Sequence, residues 1–428
     1  MLQIKNTLGG GKRVVVSNGN KGEEYALNSD INPYNFIKMG GTFNGRGNTI
    51  DVFDTSYTAQ GISGISLGGD KILFIHYRAS SNYYVPFVTI ANITDTSISI
   101  LCDIALDGTS STIAVSYCEK LDAQRVLCCY KMGSSMRARV VVLNENMDSV
   151  SVSSSYGDAG SGNGKGIARV SEDTFVSVFN DSYFYYKTFS VNSDNTITSD
   201  SSSYFFMQKY LQLGRILPNG SEPFLVYYST SSYAIFYCRL KFNDRKLSIN
   251  GSSIQISNEA YSGDACMLGD NIFVAYSNSA GEGAAIYGMV ISKEGAVLTP
   301  AISLTSIYAS NVILYPYSNN GILAFYGYAN HKLARYSPIT IDNSFNISTG
   351  NYVEISSNNY SGANLSSSDI IYGDGFVVFP TTNNASYYYL KLTRFNCVKG
   401  LELATNGESI GLLTTKATRT QKGEYWYY

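Results

Sequence analysis

The chain has 428 residues, of which 44% are apolar and only 15% charged, with a formal net charge of −2. No basic stripe stands ready to neutralise phosphates, so a nucleic-acid partner is not expected. No run of about 18 apolar residues offers a membrane span, so membrane insertion is not expected either.

The start, MLQIKNTLGGGKRVVV, lacks the apolar core of about 7–15 residues that marks a secretory signal. The seven cysteines (Cys102, Cys118, Cys128, Cys129, Cys238, Cys266 and Cys397) are odd in number, form no C-x-x-C, and sit mostly in strand-like runs. They read as small buried hydrophobes of a protein made in a reducing compartment.

Residues 1–48 show no repeat, and TIDVFDTS at 49–56 is strand-like. From there one pattern returns seven times: a turn rich in Gly, Asp or Asn, then a run of β-formers ending on an aromatic. The copies end at Tyr77, Tyr130, Phe179, Tyr228, Tyr276, Tyr326 and Phe379, at intervals of 53, 49, 49, 48, 50 and 53 residues. A purely β repeat of this period predicts propeller blades rather than a helical solenoid.

The fifth copy shows a whole blade. SGDACMLG (262–269) is a first strand, IFVAY (272–276) a second, AIYGMVISK (285–293) a third and VLTPAISLT (297–305) a fourth. Third strands alternate, as where Arg239 and Lys241 fall between Cys238, Leu240 and Phe242. That is the period of a strand with one wet face. The second strands are continuously apolar, as expected when both faces are buried.

The expected architecture is therefore all-β. A seven-bladed β-propeller of four-stranded antiparallel blades spans 49–398, with short β appendages at 1–48 and 399–428. An open ring would leave a sheet edge exposed. The strand 49–56 is the expected closer, with the segment after Cys397 as its competitor. The aromatic terminus GEYWYY needs a packing surface. Trp426, Tyr427 and Tyr428 are therefore assembly candidates, docking onto the other appendage or a partner chain, and a homo-oligomer is left open.

Chemistry is sparse. His76 lies mid-strand and reads as a core residue, whereas His331 lies at a loop–strand junction and reads as surface. The two histidines form no metal-ligand spacing. The stretch GDAGSGNGKG (157–166) fails the phosphate-loop pattern and reads as an inter-blade loop, with Asp158 and Asn163 its cation-type candidates. Acids stand singly, at Asp103, Asp107, Glu119, Asp122, Asp181, Asp264 and Glu354. A glycosidase needs a converging pair, and the sialidase turn signature is missing from the blades. No catalytic residue, metal or cofactor is expected.

The ends carry a resemblance. MLQIKNTLGGGK resembles the opening of tail-fibre and tail-appendage proteins of phages that infect Gram-positive, clostridium-like bacteria. VKGLELATNGESIGLL resembles a short β module that often closes such proteins. The likeness covers about 45 residues. It implies a virion structural role in a phage tail or tail-derived bacteriocin, assembled in the host cytoplasm. Its implied partners are other tail or baseplate proteins and a bacterial surface glycan or protein receptor. On that reading the loops between second and third strands face the receptor, and Tyr83, Asn180, Asp181, Tyr183, Tyr233, Tyr328 and Asn384 are the ligand candidates. A tail depolymerase and a purely structural propeller are the alternatives.

Overall fold

A computed structural model describes residues 2–4, 14–16, 20–24, 26–27, 29–51, 60–80, 83–112, 116–161, 166–181, 183–207, 211–229, 232–258, 260–278, 285–305, 311–327, 334–355, 370–373, 375–382, 390–404, 411–418 and 422–427. It is all-β: seven antiparallel four-stranded blades form a propeller. Among the described residues no helix is long and apolar enough to cross a membrane.

Blade 1 comprises Gln60–Gly68, Lys71–Ser80, Tyr83–Ile93 and Ile98–Ala105. Blade 5 is equally regular, with Ser262–Leu268, Asn271–Ser277, Ile286–Ser292 and Val297–Ser303. In blades 2, 3, 4 and 6 the outer strand is broken into two short pieces that both pair with the third strand. Blade 2, for example, runs Tyr117–Lys120, Arg125–Met132, Ser135–Leu143, then Val150–Val152 and Gly157–Asp158. Short, interrupted outer strands blunt the exposed edge that every blade presents.

The repeat's apolar run is the second strand, and its burial explains its composition. Successive side chains point to opposite faces. In blade 2, Val126, Cys128 and Tyr130 pack toward blade 1, while Leu127 and Cys129 pack toward blade 3. Among the described residues the buried apolar side chains form one cluster at each of the seven blade–blade interfaces. Each fully buried large side chain contributes roughly 1.5–3 kcal/mol.

Blade 7 is completed by the other end of the chain. Its own strands are Ile371–Tyr372, Phe376–Thr382 and Leu390–Leu403. Its outer strand is Phe36–Asp51, antiparallel to the third from Asp51↔Lys391 to Ile37↔Leu403. The expected closing stretch 49–56 overlaps this strand only at 49–51, and 52–56 lies outside the described residues. The expected boundaries at 48/49 and 398/399 fall inside these two long strands. Among the described residues the strand pairing across the ring's seam is a single parallel bridge of Ile371 with Gly64. A Cβ at Gly64 would sit 2.5 Å from the Leu73 carbonyl oxygen of the neighbouring strand of blade 1 and 3.0 Å from the Ile371 Cγ2 across the seam, so glycine fits here where a side chain would crowd both.

The same two strands run out of the blade into a terminal module. Phe36–Ile37 pair with Gly411–Leu413, which pairs with Gly423–Tyr427, which pairs with Asn20–Glu24. The two chain ends thus dock on each other. Ala26, Ile31, Ile37, Leu401, Leu413 and Ala417 form a separate small core there, with Tyr425 against it.

Candidate functional site

The blades have two unlike ends. The third strand of blade 7 starts at Leu390, beside the loop that joins it to the second strand, and ends in the terminal module at Leu403. Its 14 residues span about 45 Å at the usual rise per residue. The loops between second and third strands therefore occupy one end of the ring, and the terminal module lies at the other.

Tyrosines project at the loop end. Tyr83 opens the third strand of blade 1 and is 52% exposed. Tyr183 opens that of blade 3, and Tyr233 immediately precedes that of blade 4, at 39% and 56% exposed. Tyr261 precedes the first strand of blade 5, again at this end, and is exposed too. Tyr233 holds φ = 50°, in the left-handed region that bulky residues avoid. Its carbonyl accepts from the Ala260 amide at 2.5 Å, which holds the turn in place.

Of the other candidates, Asn180 and Asp181 end the second strand of blade 3, and their side chains lie outside the described residues. Tyr328, Asn384 and Tyr428 lie outside them altogether. Trp426 and Tyr427 belong to the strand Gly423–Tyr427, opposite Lys21 and Asn20. The structure thus brings Tyr83, Tyr183 and Tyr233 to one end and places Trp426 and Tyr427 at the other.

The first strands surround the axis and enclose a cavity of about 260 Å³. Every blade contributes to its wall, through Gly64, Cys118, Ile167, Ile216, Cys266, Leu314 and, just before blade 7, Ile370. Arg215 and Tyr117 are its ionisable side chains besides the cysteines, and no carboxylate lines it among the described residues. A register shift between Leu213 and Arg215 marks a bulge in the first strand of blade 4, a device that re-aims a side chain.

The acids nearest the axis are engaged across blade boundaries. Asp264, 1% exposed, accepts from the Leu314 amide at 3.0 Å and lies 3.9 Å from Arg215, linking blades 4, 5 and 6. Glu119 accepts from the Tyr117 hydroxyl and, at 3.5 Å, from Arg169 of blade 3. Burial pushes the Glu119 carboxyl up from its ordinary value, with the Tyr117 and Arg169 bonds opposing it. Burial, reinforced by the Glu119 charge, also raises the Tyr117 hydroxyl. Asp264 and Glu119 thus tie blades together from behind the lining residues Arg215 and Tyr117.

His76 is fully buried, facing the interface with blade 7. Thr89 donates to Asp103 at 2.7 Å, so the 2.9 Å contact between Thr89 and His76 uses the Nε2–H of a neutral imidazole. Burial lowers the pKa of His76, against the Asp103 hydrogen bond that raises it. In the stretch 157–166, Asp158 is paired with Lys187 and accepts from Gly160, whereas Asn163 lies outside the described residues. Among the described residues no group of three or more His, Cys, Asp or Glu could hold a metal.

No family model and no curated protein matches the chain. Its similarity to solved structures is one of fold. The polysaccharide lyase Uly1 aligns at 6% identity and a TM-score of 0.51, covering 82% of this chain and 99% of that one. Sqt1 from Chaetomium thermophilum, bound to the N-terminus of the ribosomal protein L10, aligns at 12% identity and a TM-score of 0.46, covering 89% and 100%. A putative 6-phosphogluconolactonase from Bacteroides uniformis aligns at 11% identity and a TM-score of 0.41, covering 70% and 97%.

Proposed function

We propose that the protein is a non-enzymatic structural component of a phage tail or tail-derived bacteriocin. It stands as a fibre, baseplate or tail-tip subunit and presents its loop end to a glycan or protein on a Gram-positive cell. One observation carries the reading: Tyr83, Tyr183, Tyr233 and Tyr261 stand exposed at one end of the propeller, while strands from residues 20–37 and 401–427 are woven into a module at the opposite end. Tyrosine suits a receptor face because its rigid ring supplies contact area at low entropic cost and its hydroxyl adds a hydrogen bond. A module at the far end leaves that face clear when the protein is mounted on a particle. The resemblance of the two termini to tail appendages supports the same orientation.

The test is binding of the fluorescently labelled protein to clostridium-like cells and to their purified wall polysaccharide. Saturable binding is expected, reduced at least tenfold in a Tyr83→Ala, Tyr183→Ala, Tyr233→Ala triple variant, with no release of reducing ends. Absence of any cell binding would leave a propeller that touches only other virion proteins. Release of reducing ends would establish a depolymerase instead.

A further inference from the structure

Blades 2 and 6 share a constellation that the other blades lack. In each, the repeat's closing aromatic pairs with an arginine on the third strand: Tyr130 with Arg137, and Tyr326 with Arg335. The same position holds Pro86, Tyr185, Ile235, Tyr287 and Thr393 in the remaining blades. Across from each arginine stands an acid of the outer strand, Asp158 or Glu354. Two residues before each acid comes a tyrosine, Tyr156 or Tyr352, and these are 48% and 47% exposed.

The arginines buttress the tyrosines. The Arg137 guanidinium lies 3.9 Å from the centroid of the Tyr156 ring, and that of Arg335 lies 4.6 Å from the Tyr352 ring. Each guanidinium is itself anchored. Arg137 donates to Asp107 at 2.7 Å, and Asp107 also accepts from Tyr130 at 3.0 Å. Arg335 donates to Glu354 at 2.7 Å. A ring held this way is ordered before anything binds, so a ligand meets a flat surface whose entropic cost is already met. The half-exposed carboxylates of Asp158 and Glu354 stand beside the rings, 51% and 43% exposed.

We infer that the two surface sites at Tyr156 and Tyr352 are carbohydrate-binding subsites for a neutral pyranose polymer. The exposed ring takes the apolar C–H face of a sugar, and the adjacent carboxylate accepts from its hydroxyls. The charges at both sites are already matched within the protein, Arg137 with Asp107, Asp158 with Lys187 and Arg335 with Glu354, which suits a neutral ligand better than an ionic one. Two like sites on one ring allow a repeating polymer to engage both, which multiplies weak single-site affinity. This inference rests on the reading of the propeller as a glycan-binding module, and it adds sugar contacts at Tyr156 and Tyr352 to those of the loop end.

The experiment uses the full chain and an array of neutral tetrasaccharides of glucose, galactose and rhamnose, with dextran as a polymeric probe. Wild-type protein binds at least one of these probes. Tyr156→Ala and Tyr352→Ala each weaken binding about tenfold, and the double variant weakens polymer binding about a hundredfold. Tyr156→Phe and Tyr352→Phe stay within about threefold of wild type, because the stacking face survives. An Arg137→Gln variant, which keeps Tyr156 but frees it, loses part of the affinity. Wild-type protein that binds none of the probes at millimolar concentration overturns the inference. So does a double alanine variant that binds as wild type does. If the wild-type protein still labels cells in either case, the reading of the propeller as a surface binder stands and only the assignment of these two sites fails.

Discussion

Arg394 of blade 7 donates to Asp70 of blade 1 at 2.7 Å, across the seam where the last blade meets the first. The same guanidinium lies 3.2 Å from Asp95, donates to the Ile93 carbonyl and covers the Phe376 ring at 3.9 Å. One side chain, 12% exposed, thus ties the third strand of blade 7 to two turns of blade 1. Replacing it with leucine keeps the apolar stem but removes these bonds. Arg394→Leu is expected to cost about 1–3 kcal/mol, read as a lower urea midpoint. An unchanged midpoint would show that the seam is held by apolar packing alone.

The closing strand should matter more. Without residues 1–51 the third strand of blade 7, Leu390–Leu403, becomes a long unpaired edge. Such an edge invites association. The truncated protein is expected to elute as aggregate on size exclusion, and a synthetic peptide of residues 36–51 to restore a monomeric fraction. A truncated monomer with the wild-type melting temperature would refute the assigned role of this strand.

Gly64 is tested by adding one methyl group. In Gly64→Ala the new Cβ would lie 2.5 Å from the Leu73 carbonyl oxygen and 2.7 Å from the Phe74 Cβ. Both neighbours belong to the adjacent strand of blade 1 and cannot retreat without disturbing that strand pair, and the Ile371 Cγ2 stands 3.0 Å away on the blade 7 side. A loss of about 1–3 kcal/mol is expected by thermal unfolding, and full retention of stability would mean that the packing around Gly64 is looser than the geometry implies.

Stability should fall in mild acid. The folded pKa of His76 is lowered below its ordinary 6.5 by burial, so the unfolded chain binds the proton more readily. The His76 contribution is therefore full above about pH 6.5 and is lost as pH falls below it. Asp103 and Asp107 act lower down. Burial pushes each carboxyl up, but hydrogen bonds and nearby arginine charge overcome it and hold both below 3.8. Their contributions are present above that value and are lost as pH falls through the lowered one. Denaturant midpoints against pH should show both limbs, and His76→Gln should flatten the upper limb and, because His76 helps to hold the Asp103 carboxyl low, alter the lower one. An upper limb that persists in this variant would assign it to another group.

The ring was legible because its signal is repeated and two-sided. A second strand buried on both faces, such as Leu225–Tyr227 or Phe273–Ala275, must be apolar throughout, and its turn and closing aromatic recur at each blade. The outer strands were less legible, being short, exposed and split. The closing strand hid for another reason. FIKMGGTFNGRGNTID carries four glycines, a composition depleted in strands, so only its tail reads as β. The loop-end position of Tyr83, Tyr183 and Tyr233 followed from strand order alone. The pairing of Arg137 with Tyr156 and of Arg335 with Tyr352 could not be read in advance. It depends on how the split outer strands register against the third strands, and no local pattern encodes that.

The loop end, with the Tyr156 and Tyr352 sites, is proposed to face the cell while the terminal module faces the particle. Hydroxyl-radical footprinting of the protein on purified wall polysaccharide of clostridium-like cells distinguishes the two ends. Protection is expected at Tyr83, Tyr156, Tyr183, Tyr233 and Tyr352, with Tyr34 and Tyr425 at the module end as reactive as in the free protein. Protection confined to the module end, with the loop-end tyrosines unchanged, would contradict it.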